Sequence, residues 1–327
     1  MIITKTPLRV SFAGGGTDLA AFYEQEDGFV VSTAISLSIY IAAHEFFEKK
    51  IVLKYSKTEE VGQVSEIQHP LIRECMKKTG VGAPIEITSF ADIPSSGSGL
   101  GSSSAFTVGL LKALHAHKGS NIGAEGCGRG ACEVEIDTLG EPIGKQDQYA
   151  AAYGGLNSIR FRGDGEVHVN PIILEREKRQ ALDDRLMMFY TGITRSASAI
   201  LSEQKKNTES AGDKFRSLQS MKAMAEELEK ELNKGQIEAV GEKMHEGWLE
   251  KKKLATKISN PQIDGWYEAA ISAGATGGKL LGAGGGGFLM FYCDPKKKKD
   301  LRAALSDMRE LPFHLESQGS RVLYVEK

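Results

Sequence analysis

Hydrophobic and polar positions along this chain change period several times. Residues 7–13, PLRVSFA, alternate as a strand does, and GGGTD stops them. The apolar run 29–47 predicts one or two strands, and IVLKYS, from residue 51, another. HPLIRECMKKTG reads as a helix broken at Gly80, and IEITSFADI as a strand. Helices are predicted over about 103–117 and 124–139, with a third from Gln146. GGLNSIRF, GEVHVNPI and RLMMFYTG return to strand character. Residues 196–234 read as strongly helical, with Phe215, Leu218, Met221, Met224, Leu228 and Leu232 as a core-facing stripe. Helices near 236–257, 261–273 and 296–308 and strands at PFHLES and RVLYVE complete the pattern.

Strands and helices share the first half, whereas long helices open the second. The expected division is 1–180 and 181–327. A chain of 327 residues suits two domains, and 41% apolar residues suffice for sizeable cores. A net charge of -2 argues against a nucleic-acid binder, so any anionic ligand must be held by local groups. Cys75, Cys127, Cys132 and Cys293 form no C-x-x-C pair and suit free thiols in a reducing compartment. The N-terminus lacks a signal-peptide core, and the most apolar segment is short and broken by serines. The expectation is a cytoplasmic protein with no membrane partner. PKKKKD, at 295–300, reads as a solvated helix start.

The stretch 93–105, IPSSGSGLGSSSA, is the first candidate for chemistry. Its glycines let backbone N–H groups turn inward, and the helix that follows adds unpaired N–H groups and partial positive charge. Serine hydroxyls can donate to phosphate oxygens or ligate a metal. No lysine precedes Ser102, so this is not a Walker loop, and alone it is equally a plain loop with a serine cap. FAGGGTDL (12–19) ends the first strand, with Arg9 nine residues before Asp18. Asp18 suits a sugar hydroxyl or a helix cap. GAGGGG (282–287) carries five glycines in six positions, which fits close approach to a ligand or to another loop. Glu135 and Asp147, the latter beside Lys145 and Gln146, offer a metal ligand and an acid for an attacking hydroxyl.

PLRVSFAGGGTDL, IPSSGSGLGSSSA and KLLGAGGGGFLMFY, in this order, resemble the three motifs of the GHMP kinases, the superfamily of galactokinase, homoserine kinase and mevalonate kinase. The resemblance covers most of the chain. It implies an α+β fold, with an N-terminal ribosomal-protein-S5-like domain and a C-terminal ferredoxin-like domain. GKQDQYAAAYGGLN, YTGITR and EQKKNT are most similar to the sugar 1-kinases acting on D-glycero-D-manno-heptose 7-phosphate. That likeness implies phosphorylation of an anomeric hydroxyl by ATP with Mg²⁺, on the route to nucleotide-activated heptose. It places ATP on Ser96, Gly97, Ser98, Gly99, Leu100, Gly101, Ser102 and Ser103. It places the metal on Ser102, Ser103 and Glu135, and catalysis on Asp147 and Arg9. Gly15, Gly16, Thr17, Asp18, Lys145, Gln146, Asp147 and Arg195 would face the sugar. A 7-phosphate needs a cation, with Arg195 preferred over Lys145, Lys205 and Lys206. Galactokinases carry Glu-His where this chain has Gly15 and Gly16, which argues for a larger sugar. A fucokinase- or galactokinase-like enzyme and a sugar and ATP sensor without catalysis stay open. A Rossmann dehydrogenase is a poor fit, because no acidic residue ends a second strand at the right distance.

Overall fold

Residues 1–93, 97–193, 197–209 and 212–326 are described by a computed structural model, and among them the chain forms two sheets. The first contains β1 (Ile2–Ala13), β2 (Gly28–His44), β3 (Ile51–Lys54), β4 (Thr58–Val61), β5 (Ile85–Ala91), β6 (Leu156–Phe161), β7 (Val167–Pro171) and β12 (Arg321–Val325). Its helices are α1 (Ala20–Tyr23), α2 (Pro70–Thr79), α3 (Ser102–His117), α4 (Ala124–Cys132), α5 (Gln146–Tyr153) and α6 (Arg176–Asp183). The second sheet runs in the order β11 (Arg309–Glu310), β8 (Leu186–Tyr190), β10 (Phe288–Cys293), β9 (Ala275–Leu280), all antiparallel. The helices of that half are α7 (Ala197–Glu209), α8 (Asp213–Asn233), α9 (Ala239–Lys251), α10 (Pro261–Ser272) and α11 (Lys298–Ala304).

β1 lies inside its sheet, between β12 and β2, and residues 6–13 are all buried. α3, α5, α8 and α9 all touch it, so β1 needs apolar or hydrogen-bonded side chains on both faces. The one charge in that run is Arg9. β2 branches: residues 28–33 pair β6, and residues 39–44 pair β5. Between them the β1–β2 register shifts after Pro7, a residue without an N–H to give the ladder. The backbone at 34–36 turns instead to residues 314–316 and Gly155.

The helical stripe of α8 is core except at Met224, which is half-buried and outside both clusters, Ala225 packing inward in its place. Leu218 and Met221 join the apolar cluster of the second sheet, whereas Ala225, Leu228 and Leu232 join that of the first. One helix thereby fastens the two cores together. All four cysteines are buried and free. Among the described residues no helix is long and apolar enough to cross a membrane.

Several expectations need correction. The helical stretch 196–234 is two helices, α7 and α8. The helix at 296–308 shortens to a 3₁₀ turn and α11. PFHLES makes one bridge, Ile35 to Leu315, and no strand. The division expected near residue 180 falls inside α6, and the chain crosses it again: β12 returns to the first sheet. β1 would otherwise expose a row of unpaired backbone groups on that edge.

Candidate active site

A cavity of about 500 Å³ opens where the two glycine loops meet. Gly97, Gly99 and Gly101 all adopt left-handed backbone (φ 71, 74 and 76°). Gly101 is the N-cap of α3 and no side chain caps that helix, so its first-turn N–H groups are left to a ligand. Ser98 Oγ meets Ser102 Oγ at 2.9 Å and accepts from Leu100 N, which braces the loop from within. Ser96 lies outside the described residues. A side chain at Gly99 would fall 2.4 Å from the Leu281 carbonyl oxygen, and one at Gly282 would fall 2.5 Å from Gly99 Cα. Gly282 and Gly287 of the second glycine run thus let one loop lie directly on the other, while Gly284 and Gly286 pack on Ile258 and Ile193.

Arg9 and Asp147 form the polar centre. The Arg9 Nε and Nη2 groups donate to the two Asp147 carboxylate oxygens, each at 2.7 Å, and Nη1 donates to the Gly99 carbonyl at 2.7 Å. The Arg9 backbone N–H donates to Leu100 O. One residue of β1 thus fixes both the phosphate-type loop and the carboxylate at the start of α5. Arg9 is buried, whereas the Asp147 side chain is 24% exposed toward the cavity.

Gly15, Gly16, Asp18 and Gln146 line the same cavity. Asp18 is not a cap of α1, whose N-cap is Leu19. Its carboxylate accepts from Gly16 N at 2.9 Å and from Gln146 N at 3.3 Å, and so ties the 14–18 turn to α5. Burial, and then the Asp147 charge, push the Asp18 carboxyl up from its ordinary range. Two residues expected at the sugar are elsewhere. Thr17 is fully buried, and its hydroxyl donates to Gly14 O and Phe29 O, so it holds the turn. Lys145 points away from the cavity: its amine donates to Gly165 O at 3.1 Å and lies 4.7 Å from the Tyr23 ring centre. The helical twist across the first turn of α5 separates its side chain from that of Asp147. Arg195 lies outside the described residues. Lys205 and Lys206 are exposed on α7.

Glu135 sits on a π-helical turn, residues Glu133–Thr138, where a regular helix was expected. It is 1% exposed and points at the start of α3. Its carboxylate accepts from Thr107 Oγ1 (2.8 Å), Ser104 Oγ (2.8 Å), Gln148 Nε2 (2.6 Å) and, more loosely, Ser103 Oγ (3.4 Å). Burial pushes the carboxyl up, and the Ser104, Thr107 and Gln148 hydrogen bonds oppose that. The Ser102 hydroxyl is engaged with Ser98, and Ser104 bonds the Glu135 carboxylate. Among the described residues no three His, Cys, Asp or Glu side chains are grouped for a metal. An all-oxygen set of one carboxylate and serine hydroxyls does match Mg²⁺ shared with a nucleotide, which keeps few protein ligands.

Sequence reasoning missed two lysines. Lys251, at the end of α9, lines the cavity and donates its amine to Gly282 O. Burial foremost, then the Arg9 charge, pull that amine down to about 8, against the pull of Asp18 and Asp147. Lys279, on β9, lies deeper and is held far below the ordinary lysine value by burial and by Lys251 and Arg9. The run EKKKLATK looks like a solvated surface. The signal was present in the spacing: Val240, Met244 and Trp248 are buried, and Lys251 follows on the same helical face.

A glycine loop on a helix N-terminus, facing an arginine–carboxylate pair across one cavity, is the arrangement of a phosphoryl-transfer enzyme. The comparisons agree. Residues 67–155 match the GHMP kinases N-terminal domain, and residues 224–310 the GHMP kinases C-terminal domain. The chain is 32% identical over 319 residues to a D-glycero-alpha-D-manno-heptose 7-phosphate kinase of Campylobacter jejuni, covering 93% of each. It is 26% identical to the bifunctional fucokinase/GDP-fucose pyrophosphorylase of Arabidopsis thaliana, covering 93% of this chain and 31% of that protein. The solved structure of a D-glycero-D-manno-heptose 1-phosphate kinase from Bacteroides thetaiotaomicron superposes over 100% of both chains, with TM-score 0.82 and 26% identity. The chain belongs to the GHMP kinases. It is an ATP-dependent sugar kinase of that family, a phosphotransferase.

Proposed function

We propose that this chain transfers the γ-phosphoryl group of ATP to the anomeric hydroxyl of D-glycero-D-manno-heptose 7-phosphate, giving the 1,7-bisphosphate. The observation that carries this reading is the bidentate Arg9–Asp147 pair, set between the loop at 97–103 and the Asp18 wall. The triphosphate lies along the loop amides and the start of α3. Pro70 and Leu71, also in the cavity wall, add the apolar surface a purine base needs. Glu135 and Ser103, with Ser104, would hold Mg²⁺. The chemistry supplied by bound Mg²⁺ is charge neutralisation at the phosphate oxygens.

Phosphoryl transfer asks a protein mainly for position and charge. Asp147 presents a carboxylate edge to the cavity and receives the hydrogen bond of the attacking hydroxyl. Arg9 holds that carboxylate and faces the transferring group. Lys251 belongs to the phosphate end, because its amine rests on Gly282, the residue packed against Gly99. Asp18 and Gln146 form the sugar side. Gly15 leaves its part of that wall open, which favours a large sugar, whereas the side chains of Gln204 and Leu218 fill the space beside Gly16.

A panel of heptose 7-phosphate, heptose, L-fucose and D-galactose, read as sugar-dependent ADP release, tests the reading. Heptose 7-phosphate is expected to exceed the others in kcat/KM by about tenfold or more. Equal efficiency for heptose and its 7-phosphate removes the phosphate subsite. Preference for fucose, in line with the 26% identity to a fucokinase, moves the chain to that substrate. ATP binding without sugar-dependent ADP release makes it a sensor.

A further inference from the structure

We infer that Gln204 is a specificity residue that hydrogen-bonds a hydroxyl of the bound sugar, an inference that rests on the sugar-kinase reading. Gln204 sits on α7 between Ile200 and Thr208, each one turn from it on the same buried face. It is 2% exposed, and its Nε2 has no hydrogen-bond partner among the described residues. Five other buried side-chain atoms share that condition, yet only Gln146 Oε1 and Gln204 Nε2 belong to residues lining the active-site cavity. A buried amide without a partner is costly unless a ligand completes it.

Gly16 makes the contact possible. Its φ is 104°, and a side chain there would fall 2.5 Å from Gln204 Nε2. The glycine turn therefore places no side chain against the amide, which lines the same cavity as Asp18. Gln146 and Gln204 together offer an unmet acceptor and an unmet donor, and a sugar hydroxyl is both donor and acceptor. A site built around buried amides rejects a ligand that lacks the matching hydroxyl.

The test is direct binding by calorimetry on the full chain, loaded with a non-hydrolysable ATP analogue. The probes are D-glycero-D-manno-heptose 7-phosphate, heptose, L-fucose and D-galactose. Gln204→Met removes the polar atoms at nearly constant length, and Gln204→Glu keeps the shape while replacing the donor by an anion. Both variants are expected to bind the sugar preferred by the unaltered chain about tenfold more weakly or worse, with affinity for the ATP analogue within about twofold. Sugar affinity within about twofold of the unaltered chain in either folded variant overturns the role of Gln204 and leaves the kinase reading standing. Parallel loss of nucleotide and sugar binding in both variants marks Gln204 as structural and also overturns it. Absence of binding by all four sugars to the unaltered chain removes the sugar site, and this inference with it.

Discussion

Asp147→Asn is expected to lower kcat by about 10³-fold, within the span for a group that receives or orients a reacting proton. The amide matches the carboxylate in shape, so the start of α5 should keep its place. What changes is charge and acceptor capacity. Arg9 now bonds both carboxylate oxygens, and its side chain is 4% exposed, so the substitution leaves a buried cation without its counter-charge. That cation still faces the phosphate end of the cavity, so KM for ATP should not rise. Steady-state ADP release at saturating ATP and sugar gives the result. A kcat within about threefold of the unaltered chain removes Asp147 from the chemistry, as base and as orienting group alike.

The second large effect concerns Lys251. Loss of one preorganised cation at the transferring group is worth about 10²-fold, and Lys251→Met should reduce kcat/KM by that amount. The pH dependence is more telling. The Lys251 amine, pulled down to about 8 mainly by burial, loses its charge as pH rises through that value. In the unaltered chain kcat/KM should fall above about pH 8, and that alkaline limb should vanish in Lys251→Met. Stability moves the other way. Below about pH 8 the amine is charged folded and unfolded, so its burial cost is fully present. Between there and the ordinary lysine value of 10.5 the unfolded chain binds more protons, so stability rises with pH. An alkaline limb that is identical in the variant would remove Lys251 from the reaction.

Much of this site was legible in the chain because its parts are local. Three left-handed glycines and an uncapped helix start lie within five residues of one another. Asp18 and Asp147 stand out against a glycine turn and a helix start, whereas Arg9, within β1, and Glu135, within a predicted helix, were marked by the resemblance to the GHMP kinases. What stayed hidden depends on contacts between distant segments. Lys145 and Asp147 are two residues apart, and only the helix phase sends them to different surroundings. Ser104, for which no role was expected, bonds Glu135, whereas the Ser102 hydroxyl meets Ser98. Lys251 reads as one of three surface lysines until β9 and the second glycine loop cover it. The 282–287 run satisfied two readings, and both hold in part: Gly282 and Gly287 lie on the first loop, and Gly282 also lines the cavity. β12 could not be assigned to the first sheet from residues 321–325 alone, since its partner lies at the opposite end of the chain.

The most direct measurement is a crystal structure of the chain with a non-hydrolysable ATP analogue and Mg²⁺. The β- and γ-phosphate oxygens should lie about 3 Å from backbone nitrogens of residues 97–104, with the terminal phosphate beside Arg9. A triphosphate bound elsewhere, with those amides facing only water, would contradict the assignment of this cavity.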